Sequence, residues 1–232
     1  TAPELPFNLA NKLRMSHHPT WLSLISKQAN RGQNTASHSA EILQGKGDVM
    51  APKSVCVYCG SRPGNDPAYM ADAERLGTGL ALAGVRLVYG AGDVGLMGAV
   101  ARAAQTAGGD TFGVIPKHLV EWEVGKTDLT TYVVTETMHE RKKVMFMNCD
   151  AVVVLPGGAG SLDELFEVLT WRQLGLHEKP VFLVNTKGYW DPLLALLDHV
   201  VSSGFADATL LRYVEAVDDA AAALAGLARL DH

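Results

Sequence analysis

Cysteine is scarce in this chain, with only Cys56, Cys59 and Cys149 among 232 residues. An odd, sparse count argues against a disulfide scaffold and fits a reducing compartment. Cys56-Val57-Tyr58-Cys59 does spell C-x-x-C, but within an apolar, strand-like run. Residues three apart on a strand point to opposite faces, so buried structural thiols are expected rather than a redox or metal pair. No apolar run approaches the roughly 20 residues that span a bilayer. The first residues also lack the basic, apolar and small-residue pattern of a secretory signal. A cytoplasmic protein with no membrane partner is expected. Positive charge is not in surplus either: 20 Lys and Arg against 25 Asp and Glu leave a net charge of −5. That is unlike the basic footprint of a nucleic-acid binder. A small phosphorylated ligand stays open, because backbone N–H groups and one or two cations can hold its anion locally. There is no Walker P-loop, no internal repeat and no lysine in a recognisable pyridoxal phosphate setting, and no cofactor or metal is expected.

What is present is an ordinary globular balance, 47% hydrophobic and 19% charged, enough for one sizeable core. Residues 1–49 read differently from the rest: 28–48 are mostly polar and small with no sustained period. They are expected to be a non-catalytic extension, with residues 50–232 as a single nucleotide-binding catalytic domain. From Ser54 onward, short valine-rich runs alternate with helical patterns. The runs are Ser54–Cys59, Val85–Tyr89, Thr111–Ile115, Tyr132–Thr135, Ala151–Leu155, Val181–Asn185 and Tyr213–Val217. Ala68–Ala83 and Asp191–Val201 carry the clearest helical spacing. This alternation predicts an α/β fold, a doubly wound and mostly parallel sheet with helices on both faces, Rossmann-like. Such sheets bind ligands beyond the carboxyl ends of their strands.

Three glycine-bearing loops fall at such ends: Cys59-Gly60-Ser61-Arg62-Pro63-Gly64, Tyr89 to Gly98, and Leu155-Pro156-Gly157-Gly158-Ala159-Gly160-Ser161-Leu162-Asp163-Glu164. Glycine lets a ligand approach the backbone, and the amides opening the next helix attract an anion. In the second loop, Gly90, Gly92 and Gly95 spell the dinucleotide fingerprint G-x-G-x-x-G. It follows the second strand rather than the first, and no acidic residue closes the next strand to grip a ribose. A dinucleotide-dependent oxidoreductase is thus the weaker alternative. In the third loop Ser161 is expected to cap the helix and offer its hydroxyl to a phosphate, with Asp163 and Glu164 in the first turn. Glu164, Glu167 and Trp171 share a helical face. Upstream, Met138-His139-Glu140-Arg141-Lys142-Lys143 places cations where a helix begins, unfavourable to the dipole unless an adjacent anion is neutralised. A non-catalytic nucleotide or cofactor carrier remains an alternative, since a carrier needs the anion site but no carboxylate at the sugar.

Together these stretches resemble the Lonely Guy family of cytokinin-activating phosphoribohydrolases. Pro156 through Glu164 match its P-G-G-x-G-T-x-x-E signature with Ser161 in place of threonine, and Met138 through Lys142 match its M-x-x-R-K segment. Flanking similarity runs from about Ser54 to Phe205, including Gly113-Val114-Ile115-Pro116-Lys117 and Thr170-Trp171-Arg172-Gln173-Leu174-Gly175. The resemblance implies hydrolysis of N6-substituted adenosine 5′-monophosphates, or AMP, to free base and ribose 5-phosphate, by an enzyme that is a homodimer or higher homo-oligomer. Carried over by position, Arg141 and Glu164 would be catalytic. Glu123, Lys142, Gly157, Gly158, Gly160, Ser161 and Thr170 would bind the substrate. The lysine decarboxylase label that similar proteins carry is not expected to apply.

Overall fold

The computed structural model describes residues 53–120 and 128–231; the expected extension and Glu123 lie outside them. Seven strands form one sheet: β1 (Ser54–Tyr58), β2 (Arg86–Tyr89), β3 (Thr111–Pro116), β4 (Thr131–Thr135), β5 (Ala151–Val154), β6 (Val181–Val184) and β7 (Glu215–Val217). Their spatial order is β4-β3-β2-β1-β5-β6-β7, and every pairing is parallel. All seven expected runs are strands, and the sheet is wholly rather than mostly parallel. The last strand is shorter than expected, because a 3-10 turn at Ala208–Arg212 precedes it and Tyr213 and Val214 remain outside the ladder.

Strand alternation divides the core. Val55, Val57 and Cys59 face one apolar cluster, while Cys56 and Tyr58 face the other, so the C-x-x-C thiols diverge. The first cluster is closed by α1 (Pro67–Leu82), α2 (Gly95–Thr106) and α7 (Ala220–Ala228). The second is closed by α4 (Met138–Met147), α5 (Ala159–Gln173) and α6 (Asp191–Ser202). A four-residue helix, α3 (Lys117–Val120), ends the first described stretch. Local signals set the helix starts. Asp66 caps α1 by accepting from the Ala68 N–H at 2.8 Å, with Pro67 as its first residue, a pairing suited to a helix N-terminus. Thr137 and Glu140 form a capping box on α4, each side chain accepting an otherwise unpaired backbone N–H of the other.

This strand order reverses direction between β1 and β5, and the loops leaving those two strands diverge to opposite faces. A crevice opens there, at the carboxyl edge of the sheet.

Candidate active site

The crevice holds a cavity of about 400 Å³. The loop after β1 contributes Gly60, Ser61 and Arg62, the start of α5 contributes Gly158 to Ser161 and Glu164, and α4 contributes Met138 and Arg141. Backbone bonds lock the loops together: the Gly60 N–H donates to the Pro156 carbonyl at 3.0 Å. A Cβ on Gly157 would collide with the Ser161 hydroxyl and press on the Gly60 nitrogen, so only glycine allows this approach.

Helix α5 begins earlier than expected. Gly158 is its N-cap, with no side-chain cap, and no acidic residue lies in its first turn. Ser161 is therefore the third helical residue, not the cap, and Asp163 and Glu164 fall in the second turn. Among the described residues, no protein acceptor takes the N–H groups of Ala159, Gly160 or Ser161. An uncapped helix start with free amides lining a cavity has the donors and the partial positive charge that suit an anion.

Arg141 and Lys142 are both buried, 5% and 4% exposed, which removes a solvated charged face as their explanation. They diverge because neighbouring helical residues point about a quarter-turn apart. Arg141 lines the cavity, and its Nη2 donates to the Gly90 carbonyl at 2.9 Å. Lys142 turns to α5, where its ammonium meets Asp163 at 2.9 Å and Glu167 at 3.3 Å. Burial works against the Lys142 charge, but those two carboxylates outweigh it and raise its pKa. Trp171 packs edge-on against Phe146 of α4. The face shared by Glu164, Glu167 and Trp171 is thus mostly a seam with α4, and Glu164 is its member that reaches the cavity.

Glu164 is half-buried. Burial pushes its carboxyl up to about 7, against the opposing pull of the Arg141 guanidinium; Asp163 adds to the rise and Lys142 offsets part of it. A carboxyl poised near neutrality in a cleft is suited to proton transfer.

Of the expected site residues, Arg141, Gly158, Gly160, Ser161 and Glu164 meet at this cavity, and Gly157 braces its floor. Lys142 is engaged by carboxylates beside it, and Thr170 is exposed further along α5, its hydroxyl donating to the Phe166 carbonyl at 2.7 Å. Sequence reasoning did not single out Ser61, Arg62, Met97 or Met138, which also line the cavity. Arg62 was visible in the first glycine loop as a cation at a strand end. Met138 was visible as the first residue of the M-x-x-R-K match, whereas Met97 carried no signal beyond ordinary core composition.

Among known proteins, the family described as "Possible lysine decarboxylase" matches residues 97–227. A protein named a probable cytokinin riboside 5′-monophosphate phosphoribohydrolase from Oryza sativa subsp. japonica is 43% identical over 178 residues, 75% of this chain and 76% of that protein. A cytokinin riboside 5′-monophosphate phosphoribohydrolase of Arabidopsis thaliana is 44% identical over 157 residues, 68% of this chain and 74% of its own. The molybdenum cofactor carrier protein of Chlamydomonas reinhardtii shares the fold, with a TM-score of 0.59 at 23% identity over 76% of this chain and 96% of that one.

Proposed function

This chain belongs to the family of cytokinin riboside 5′-monophosphate phosphoribohydrolases, and from that premise we propose that it hydrolyses the N-glycosidic bond of N6-substituted adenosine 5′-monophosphates or AMP. The observation that carries the reading is the pairing, in one cavity, of the open α5 N-terminus with the half-buried Glu164 carboxyl. The first suits a 5′-phosphate and the second suits the sugar it delivers. A carrier needs only the first.

In this reading the amides of Ala159, Gly160 and Ser161 hold the phosphate, and that remote binding energy positions the ribose. As the bond from base nitrogen to C1′ breaks, its electron pair leaves with the base and the ribose acquires oxocarbenium character. Ionised Glu164 stabilises that charge and takes a proton from the water whose oxygen attacks C1′. The departing base takes up a proton, and ribose 5-phosphate is the second product. Arg141, whose fork suits a carboxylate or phosphate, orients the phosphate or Glu164. Glu123, Lys142 and Thr170 belong to the substrate site only by family position, and Lys142 reaches it through Asp163.

The activity is assigned to residues 50–232, so a chain lacking residues 1–49 keeps it. No helix among the described residues is long and apolar enough to cross a membrane; a cytoplasmic location is proposed from the sparse, odd cysteine count, and a homodimer or larger assembly from the family alone. The test is incubation with AMP and with its N6-isopentenyl derivative, followed by chromatography for free base. Release of base supports the hydrolase. Tight AMP binding without any release would favour the carrier.

A further inference from the structure

The G-x-G-x-x-G loop after β2 matched a dinucleotide fingerprint and has no part in the mechanism above. Its contacts show two other uses. The N–H groups of Leu96 and Met97, which open α2, donate to the Gly60 carbonyl at 3.1 and 3.3 Å, so that helix end already has an acceptor. Gly95, at φ +59°, lies so close to Ser61 and Arg62 that any Cβ would strike their backbone. Half of the loop therefore clamps the neighbouring loop that lines the cavity.

The other half meets Arg141. Gly90 is the first residue past β2, and a Cβ there would fall on the Arg141 Nη2. Nothing else among the described residues is as close, and its backbone is not in the left-handed region. An alanine there would force the guanidinium to shift, while the backbone conformation itself would accept it. The next residue, Ala91, does adopt φ +57° although fully buried, a conformation that costs a non-glycine residue energy. Among the described residues, the Gly90 carbonyl holds Nη2, Nη1 meets only the Met138 sulphur at 3.8 Å, and Nε is buried without an acceptor. The guanidinium is anchored at one nitrogen, with most of its donor capacity uncommitted.

We infer that Gly90 is a positioning residue for Arg141: its carbonyl and its missing side chain together seat the guanidinium at the cavity wall. The inference rests on the hydrolase reading where it concerns turnover, but its steric core can be tested without turnover. Gly90→Ala, Arg141→Ala and the double variant form a cycle in which contacting residues reveal their coupling. Gly90→Ala should fold and lose at least about tenfold in kcat for AMP, as expected when a catalytic group is misplaced by an ångström or less. The pH limb set by Glu164 should move as well, since Arg141 pulls against its rise. Once Arg141 is alanine, Gly90→Ala should cost nothing further in kcat or in AMP affinity. If Gly90→Ala instead lowers Tm too far to assay, that loss should vanish in the Arg141→Ala background, where the obstacle is gone. Wild-type kcat, KM and pH limb in Gly90→Ala would overturn the inference, as would losses in kcat or Tm that simply add in the double variant. Should the wild-type chain release no base from AMP, the functional reading fails while the Tm cycle still decides the steric one.

Discussion

Two helices of this protein start from glycine-rich loops at the carboxyl edge of one sheet, and only one of them is available to a ligand. Helix α2 follows a loop with the dinucleotide spacing, yet its first amides donate to Gly60. Helix α5 follows Pro156-Gly157-Gly158, and its first three amides have no protein acceptor among the described residues. Both ends carry the same partial positive charge. What separates them is whether a neighbouring carbonyl has already satisfied the donors. Glycine spacing therefore identifies a loop that can come close to something, and the hydrogen-bond partners identify what that something is.

The comparison breaks most decisively at Glu164. Glu164→Gln keeps shape and hydrogen bonding but removes the charge, so AMP should bind normally while kcat falls by about 10²–10³, the usual loss for such a contact. Retention of more than about a tenth of wild-type kcat would remove Glu164 from the chemistry; Asp163, at the same cavity, is then the next carboxylate to test. The open end of α5 is tested by the substrate itself. AMP should be preferred over adenosine by about 10²-fold or more in kcat/KM, a remote phosphate contact being realised at the transition state. Gly157→Ala should reduce that preference, because its Cβ displaces Ser161 and the Gly60 loop. Equal kcat/KM for nucleotide and nucleoside would mean that α5 is no more a phosphate site than α2.

Much of this was legible in the residues. Valine-rich runs separated by helical patterns marked all seven strands, since a parallel sheet covered on both faces leaves few polar positions within a strand. The start of α5 was misread. A serine before an apolar run looks like a cap, but the helix begins at Ala159, whose good propensity is masked by the glycines on either side of it. Arg141 and Lys142 were recognised as a pair of cations, while their separate destinations depended on helical phase and on carboxylates about 20 residues away. The closed state of α2 was legible nowhere in its own sequence, because its acceptor belongs to the loop after β1.

A smaller effect concerns stability. The Glu164 carboxyl titrates near 7 in the fold, against an ordinary value of 4.5. The folded state thus binds the proton more tightly, and the group lowers stability as pH rises from about 4.5 to 7. Glu164→Gln should accordingly be more stable than wild type above pH 7, by about 1–3 kcal/mol. Below about pH 4.5, where the carboxyl is protonated in both states, the two should converge. Urea unfolding at pH 4 and pH 8 would show it; equal stability at pH 8 would mean that burial does not strain this carboxylate.

The smallest expected effect sharpens the division between Arg141 and its neighbour. Lys142 is buried and tied to Asp163 and Glu167 on α5, so its charge acts on the cavity from behind those carboxylates. It lowers the Glu164 pKa, while Asp163 and Glu167 raise it. Lys142→Ala removes the cation that pairs with both, so the acidic limb of kcat/KM for AMP should move upward from about 7, and Tm should fall as α4 and α5 lose their bridge. The destabilisation should be about 1–3 kcal/mol, within the range usual for a single substitution. Activity well above the limb should change little, since the amides at the start of α5 and Arg141 are untouched. Lys142→Met separates the two effects: it restores most of the apolar stem and hence part of the Tm, but not the charge. If Lys142→Met recovers the original pH limb, the shift came from repacking of α4. If either variant instead raises KM for AMP strongly at pH 9, the ammonium contacts the substrate directly, and Lys142 joins Arg141 at the cavity.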